Sequence, residues 1–302
     1  MEFTSYIACG PGCVVGPNLE YSVYKNWIEL KADYKQLPGG WATLMPSLTR
    51  LFQGLLCLGV HQIGVQYFPI DFAFTDEFAS YKTFLYRQFY VTMACRVHLY
   101  KFYGVWCFLD ASLIACGLSF AGKSEDGSYL WDKLPCVKIW DVESACGPIP
   151  AMKGWNHQTH VWLNRYVQDR FTNPGERPDL MVTVKTMLVS AFWHGYYPCY
   201  YVMFFYCGVY VVLSKEIFKS RALFEFIPPL VQTVLLKIGH ECLLHFIGSQ
   251  MFALTADKGV NVSAALYHYV WILMPLALII MKVGNCAKRA KKLEQSRQKK
   301  TE

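Results

Sequence analysis

His194 is a proton-exchanging ring in a stretch with no formal charge: from Thr186 to Ser214, 29 residues pass without Asp, Glu, Lys or Arg. Its local sequence is Ser190-Ala191-Phe192-Trp193-His194-Gly195-Tyr196-Tyr197-Pro198. An ionisable group in hydrocarbon is costly, so where one occurs it faces a protein interior or wet cavity and marks a functional path by default. Imidazole takes and returns a proton near neutral pH, which makes His194 a general-base candidate, against the plainer reading of a hydrogen-bonded structural histidine. Upstream, Asn156 opens a stretch of mixed aromatic and polar residues. From its spacing alone it could serve catalysis. It could equally cap a helix, where Asn is favoured.

Metal chemistry needs clustered ligands, and the close histidine pairs here are His157-x-x-His160 and His240-Glu241-x-x-x-His245. Histidines five apart on a helix point about 140° from each other, away from a shared face. Membrane di-iron desaturases also use doubled histidines, and the chain has none. The 12 cysteines are scattered without a C-x-x-C pair, mostly in apolar surroundings. Reduced thiols, no metal site and no bound cofactor are therefore expected.

The elements that must position these residues are apolar. Charged residues are 17% of 302, against about 25% in soluble proteins, and hydrophobic residues are 54%. The fold class expected is all-α: a polytopic membrane helical bundle with about five to eight embedded helices, read as one domain over 1–302. The first span is placed at Leu51–Ile70. Phe78–Gly122 is interrupted by Lys82, Arg87, Arg96, Lys101 and Asp110 and is read as two helices whose charges line an interior. The run Thr186–Ser214 is long enough to cross once. Phe226–Ala256 carries Lys237 and Glu241 four apart, able to pair on one helix face. Gly259–Met281, uncharged, is the clearest span, and its Asn261-Val262-Ser263 sequon lies too near the membrane to be used. Lys123–Pro150 reads as a loop, and 154–171 as an amphipathic interfacial helix with Asn156, His160, Asn164 and Gln168 in one polar stripe.

The net charge of +7 is concentrated in the tail Lys282–Glu302, with eight basic and two acidic residues. A basic tail after the last apolar run predicts a cytosolic C-terminus and calls for no nucleic acid. Lys299-Lys300 near the end resembles the dilysine retrieval signal of endoplasmic-reticulum membrane proteins. The opening MEFTSYIACG has no basic, continuously apolar signal pattern, so insertion is expected to rest on the first internal span.

Four stretches together resemble a known family. Trp155-Asn156 followed by Trp162-Leu163-x-Arg165-Tyr166-Val167, and then Ser190-Ala191-x-Trp193-His194-Gly195, are similar to the paired signature of the membrane-bound O-acyltransferase family. GPNLEYSVYKNWIEL from Gly16 resembles its G-P-x-x-x-Y-x-x-Y segment. ACGLSFAGKSEDGSYLWDKLPCVKIWDVE is similar to its lysophosphatidylcholine acyltransferase branch. The resemblance implies transfer of a fatty acyl group from acyl-CoA to the free hydroxyl of a lysophospholipid, with lysophosphatidylcholine as acceptor, in the endoplasmic-reticulum membrane. It implies catalytic roles for His194 and Asn156. Trp155, Trp193 and Tyr197, with Tyr196, Tyr200 and Tyr201, could shape an acyl tunnel; Arg165, Lys185 and Lys153 could attract the phosphates of CoA; Arg87, Arg96 and Lys101 could meet a head group. Family members are usually longer, with the G-P segment well inside the chain, so several N-terminal spans of the family are expected to be missing here. A non-catalytic membrane scaffold or regulator is the alternative. A transporter predicts two matching halves, and no duplication is seen.

Overall fold

In an apolar layer every backbone N–H and C=O must find its partner within the chain, so long uncharged runs become helices, and Gly and Pro mark their ends. The computed structural model describes residues 2–9 and 19–301, the side chains of Glu2, Leu223 and residues 287–301 excepted. Gly16–Asn18, Cys13 and the side chains of Lys299 and Lys300 lie outside the described residues. In chain order the helices are α1 (Glu2–Ile7), α2 (Tyr21–Ile28), α3 (Trp41–Tyr67), α4 (Asp76–Ser80) and α5 (Phe84–Ala115). A short antiparallel hairpin follows, β1 (Gly122–Lys123) and β2 (Tyr129–Leu130). Then come α6 (Ile139–Glu143), α7 (Pro148–Gly154), α8 (His157–Leu163), α9 (Asp169–Phe171), α10 (Leu180–His194), α11 (Pro198–Lys219), α12 (Pro229–Ala253), α13 (Ala256–Ala265) and α14 (Tyr269–Thr301).

Among the described residues four helices are long and apolar enough to cross a membrane: α3, α11, α12 and Tyr269–Cys286 of α14. Their outward faces carry Phe52, Leu55 and Ile63 on α3, Leu230, Val234 and Leu235 on α12, and Ile272, Leu276 and Ile279 on α14, all exposed. Such bare apolar faces suit lipid. The chain is an all-α membrane protein.

Contacts divide the chain into two compact units: Met1–Phe68 with Arg96–Ser144 and Ala151–Asn164, and Pro69–Cys95 with Ala145–Pro150 and Arg165–Glu302. In the first, α3 and α5 meet at glycines. A Cβ on Gly54 would fall 2.6 Å from the Phe108 ring and 3.0 Å from the Gly104 carbonyl oxygen, and one on Gly104 would fall 2.6 Å from Leu58 Cγ. Only hydrogen fits at either position, which is how helices pack closely in lipid. Beside this contact, Arg50 on α3 donates through Nε (3.0 Å) and Nη2 (2.6 Å) to Asp110 Oδ2 on α5, and Asp110 Oδ1 accepts the Cys136 amide at 2.7 Å. Glu143 likewise accepts from Arg96 at 2.8 Å and from Tyr103 at 2.9 Å. Tyr103, Trp106, Leu113 and Leu118 are buried around these groups.

In the second unit, the charges of the α5 start and α12 are also taken up by protein. Buried Arg87 donates to the Ala265 carbonyl at 2.7 Å, the Lys82 carbonyl at 3.0 Å and the Tyr267 hydroxyl at 3.2 Å. Lys237 pairs with Glu241 at 2.7 Å, as their spacing predicts.

Several boundaries differ from the sequence reading. The first span is Trp41–Tyr67, not Leu51–Ile70, because Arg50 is matched inside the helix rather than ending it. Phe78–Gly122 holds one 32-residue helix after the short α4, not two, for the same reason: its Arg87, Arg96 and Asp110 are bonded laterally. Gly259–Met281 is broken, with Tyr267 at φ 55° and His268 at φ 52° between α13 and α14. The loop Lys123–Pro150 contains part of the hairpin and α6. The amphipathic helix starts at His157 and carries a π-turn at Asn164–Gln168.

Candidate active site

The uncharged run that carries His194 is a helical hairpin rather than one span. Asp179 starts α10: its Oδ1 accepts the Val182 amide at 2.8 Å, and its extended backbone is that of an N-cap. The helix then runs 15 residues, roughly 22 Å, and stops at His194 because Gly195 leaves helical space with φ 125° and ψ −171°. Pro198 restarts the chain as the first residue of α11, where its missing N–H costs nothing. The two arms pack closely at Gly208, where a Cβ would fall 3.3 Å from Val184 Cγ2. Sequence pattern missed the break because hydrophobicity is continuous across it, although Gly195 and Pro198 were the signal.

The buried face of α10 is Thr183, Thr186, Met187, Ser190 and Ala191. His194 lies three, four and seven residues beyond the last three, so it continues that face at the turn that joins the two arms of the hairpin. There its ring lies 4.9 Å from the Phe204 ring and 5.6 Å from the Tyr200 ring. Tyr197 stands edge-on to Tyr200 at 5.7 Å. Trp193 and Tyr197 are about half exposed (53% and 48%), so neither is held in the core. The residue that could exchange a proton thus sits in an aromatic, accessible setting at a helix terminus.

Asn156 belongs to the first unit. It precedes α8 at the N-cap position, yet its backbone is left-handed (φ 42°, ψ 56°) and its side chain makes no capping hydrogen bond. A cap has extended geometry and satisfies an N-terminal amide through its side chain. Neither holds for Asn156, so capping does not account for the residue. The conformation is a strained one that Asn tolerates better than most residues. Beside it, Trp155 is fixed in a cluster with Trp106 (4.7 Å), Phe102 (5.6 Å) and Tyr103 (5.8 Å). That is packing against α5, and it gives Trp155 a structural role. In the polar stripe, the Asn164 amide donates to His160 Nε2 at 3.0 Å. Burial, then His157 and Lys153, push the His160 ring down to about 4, so it is neutral at pH 7.

The proposed phosphate contacts fall in the second unit apart from Lys153. Arg165 is exposed in the π-turn, and Lys185 is exposed with its ammonium 5.5 Å from the Phe171 ring centre. Arg87 and Arg96 are engaged by protein groups, and Lys101 is exposed. Among the described residues no group of three His, Cys, Asp or Glu side chains could hold a metal ion. Tyr210 and His240, 3.0 Å apart, and the Glu241–His245 contact had no sequence signal beyond the HE dipeptide.

Four helices long and apolar enough to cross a membrane, with a shorter apolar helix ending at His194 beside them in the sequence, define a class, a polytopic membrane protein. The sequence model of MBOAT, the membrane-bound O-acyltransferase family, matches residues 1–256, and the chain belongs to that family. It is similar to "Lysophospholipid acyltransferase" of Schizosaccharomyces pombe, 28% identical over 295 residues, covering 93% of this chain and 57% of that protein. "Lysophospholipid acyltransferase 2" of Arabidopsis thaliana is 26% identical over 294 residues, covering 93% and 62%. "Membrane-bound glycerophospholipid O-acyltransferase 1" of Mus musculus is 30% identical over 233 residues, covering 73% and 46%. The chain spans about half the length of the curated relatives it matches.

Proposed function

We propose that the chain transfers a fatty acyl group from acyl-CoA to the free glycerol hydroxyl of a lysophospholipid, with lysophosphatidylcholine as the acceptor. The observation that carries this reading is the family match across 1–256, which takes in both Asn156 and His194, together with the acyltransferase names of the relatives. His194 is the general base. It removes the hydroxyl proton as that oxygen attacks the thioester carbonyl, and CoA leaves as its thiolate, which needs no strong acid and no acyl-enzyme. The Asn156 amide donates to the oxyanion or orients the acceptor; loss of a comparable donor costs about 10²–10³ in rate. Trp193 and Tyr197 border the acyl chain, and Arg165 and Lys185 attract the phosphates of CoA. The enzyme resides in the endoplasmic-reticulum membrane with a cytosolic tail, and it uses no cofactor.

Microsomes carrying the chain, given radiolabelled acyl-CoA and a panel of lysophospholipids, test it. Transfer to lysophosphatidylcholine is expected, falling at least about 10²-fold in His194→Ala and in Asn156→Ala. Absence of transfer by the unaltered chain, or full activity in His194→Ala, overturns the enzyme reading and leaves the scaffold reading.

A further inference from the structure

A cavity of about 800 Å³ opens within the first unit, lined by α3, α5 and the segment that runs through β2 to α6. Its wall contains both Trp-Asp dipeptides of the chain, Trp131-Asp132 just after β2 and Trp140-Asp141 in the first turn of α6. Trp140 is 79% exposed, and both carboxylates are exposed. Trp131 is half-buried, its ring 5.4 Å from that of Phe120, but Trp140 stands open beside Asp141 and is not accounted for by packing.

The charges on this wall select the ligand. Arg50 and Asp110 also line the cavity, but they neutralise each other at 2.6 Å. What remains is one ammonium, Lys138, against the carboxylates of Asp132 and Asp141. CoA, a polyanion, would meet a wall with more negative than positive charge. A quaternary ammonium carries positive charge without a hydrogen-bond donor, and indole faces backed by carboxylates are the chemistry that recognises it. A single lysine suits one phosphate alongside.

We propose that this cavity binds a phosphocholine head group, its quaternary ammonium against Trp131, Trp140, Asp132 and Asp141 and its phosphate at Lys138. As the site of the acceptor it rests on the acyl-transfer reading above; the same head group could also come from a bilayer phosphatidylcholine. The full chain, purified in a maltoside detergent, is titrated calorimetrically with phosphocholine, choline, inorganic phosphate and CoA. Phosphocholine is expected to bind more tightly than choline, with inorganic phosphate and CoA failing to compete. Trp131→Ala and Trp140→Ala should each weaken phosphocholine by roughly 2- to 30-fold, with Phe at either position restoring part of it. Thermal unfolding of each variant shows that it is folded, and the Phe variants keep the test open if an Ala variant is not. No phosphocholine binding by the unaltered chain, equal binding by all folded variants, or competition by CoA overturns the proposal. His194→Ala is expected to keep phosphocholine binding, so loss of acyl transfer and loss of this site are read separately. A rise in KM for lysophosphatidylcholine in Trp140→Ala, with KM for lysophosphatidic acid unchanged, assigns the site to the acceptor. Unchanged KM for both assigns it to a bilayer lipid.

Discussion

Replacing Gly195 by alanine tests whether the end of α10 depends on a backbone conformation that glycine alone takes easily. At φ 125° and ψ −171° the residue lies in a region essentially closed to side chains. Space is not the obstacle, because the nearest atom to an added Cβ is Tyr200 Cε2 at 4.0 Å, an ordinary contact. The whole cost is therefore conformational, about 1–3 kcal/mol. The chain can hold the strained turn and lose that stability, or relax it by rotating the peptide that follows His194. Relaxation carries the imidazole with it, and a displacement of about 1 Å at a reacting group costs about 10²-fold in rate. Denaturant unfolding in detergent and acyl transfer in microsomes, measured on the same variant, distinguish the two: one observable falls and the other is largely kept. Gly239→Ala on α12, where a Cβ meets nothing within 4 Å, is the control. It should be neutral or stabilising by up to about 1 kcal/mol. The reasoning fails if Gly195→Ala keeps stability within about 0.5 kcal/mol and also keeps full transfer, or if the control loses as much.

Asp110→Ala leaves the Cys136 amide without its acceptor and the Arg50 guanidinium without its counter-charge, though Arg50 keeps the Val137 carbonyl and Gln53, and should cost about 3–5 kcal/mol in unfolding. Arg50→Met combined with Asp110→Leu should recover much of it, and additive losses in that double variant would contradict a coupled pair. Gly104→Val places a side chain 2.6 Å from Leu58 and 3.1 Å from the Gly54 oxygen, so about 1–3 kcal/mol should be lost, and an unchanged unfolding midpoint would show that α3 and α5 do not touch there. His160 is held down to about 4 when folded against about 6.5 unfolded. The unfolded chain takes up the proton first, so stability, level above about pH 6.5, should fall on the order of 2–3 kcal/mol as pH drops to about 4. His160→Gln should flatten that slope, and an equal slope in the variant would remove His160 as its cause.

What was legible in the sequence was the kind of structure and the local pairs. The scarcity of charge gave the membrane class, and Lys237–Glu241, an i,i+4 pair, is found as the spacing requires. What was not legible was where helices stop. Arg50, Arg96 and Asp110 look like boundaries in one dimension, but their partners lie 47 to 60 residues away, and no local pattern reports a partner at that distance. Conversely, Gly195 and the Tyr267-His268 pair end helices inside runs that hydrophobicity treats as continuous. Sequence spacing puts Asn156 on the polar stripe of a helix over 154–171, with a cap as the alternative; α8 begins only at the next residue, and the left-handed backbone of Asn156, which separates it from an ordinary cap, needed coordinates.

The ion pair between α3 and α5 also bears on how the chain enters a membrane. A lone arginine near the middle of an inserting helix costs about 2.5–3.5 kcal/mol, and Arg50 lies within the 27-residue α3. Its neutralising partner, Asp110, is synthesised 60 residues later. Until α5 arrives, α3 is a poor candidate for release into lipid. The two helices are thus expected to leave the insertion machinery as a pair, making Asp110 a determinant of biogenesis as well as of the finished fold.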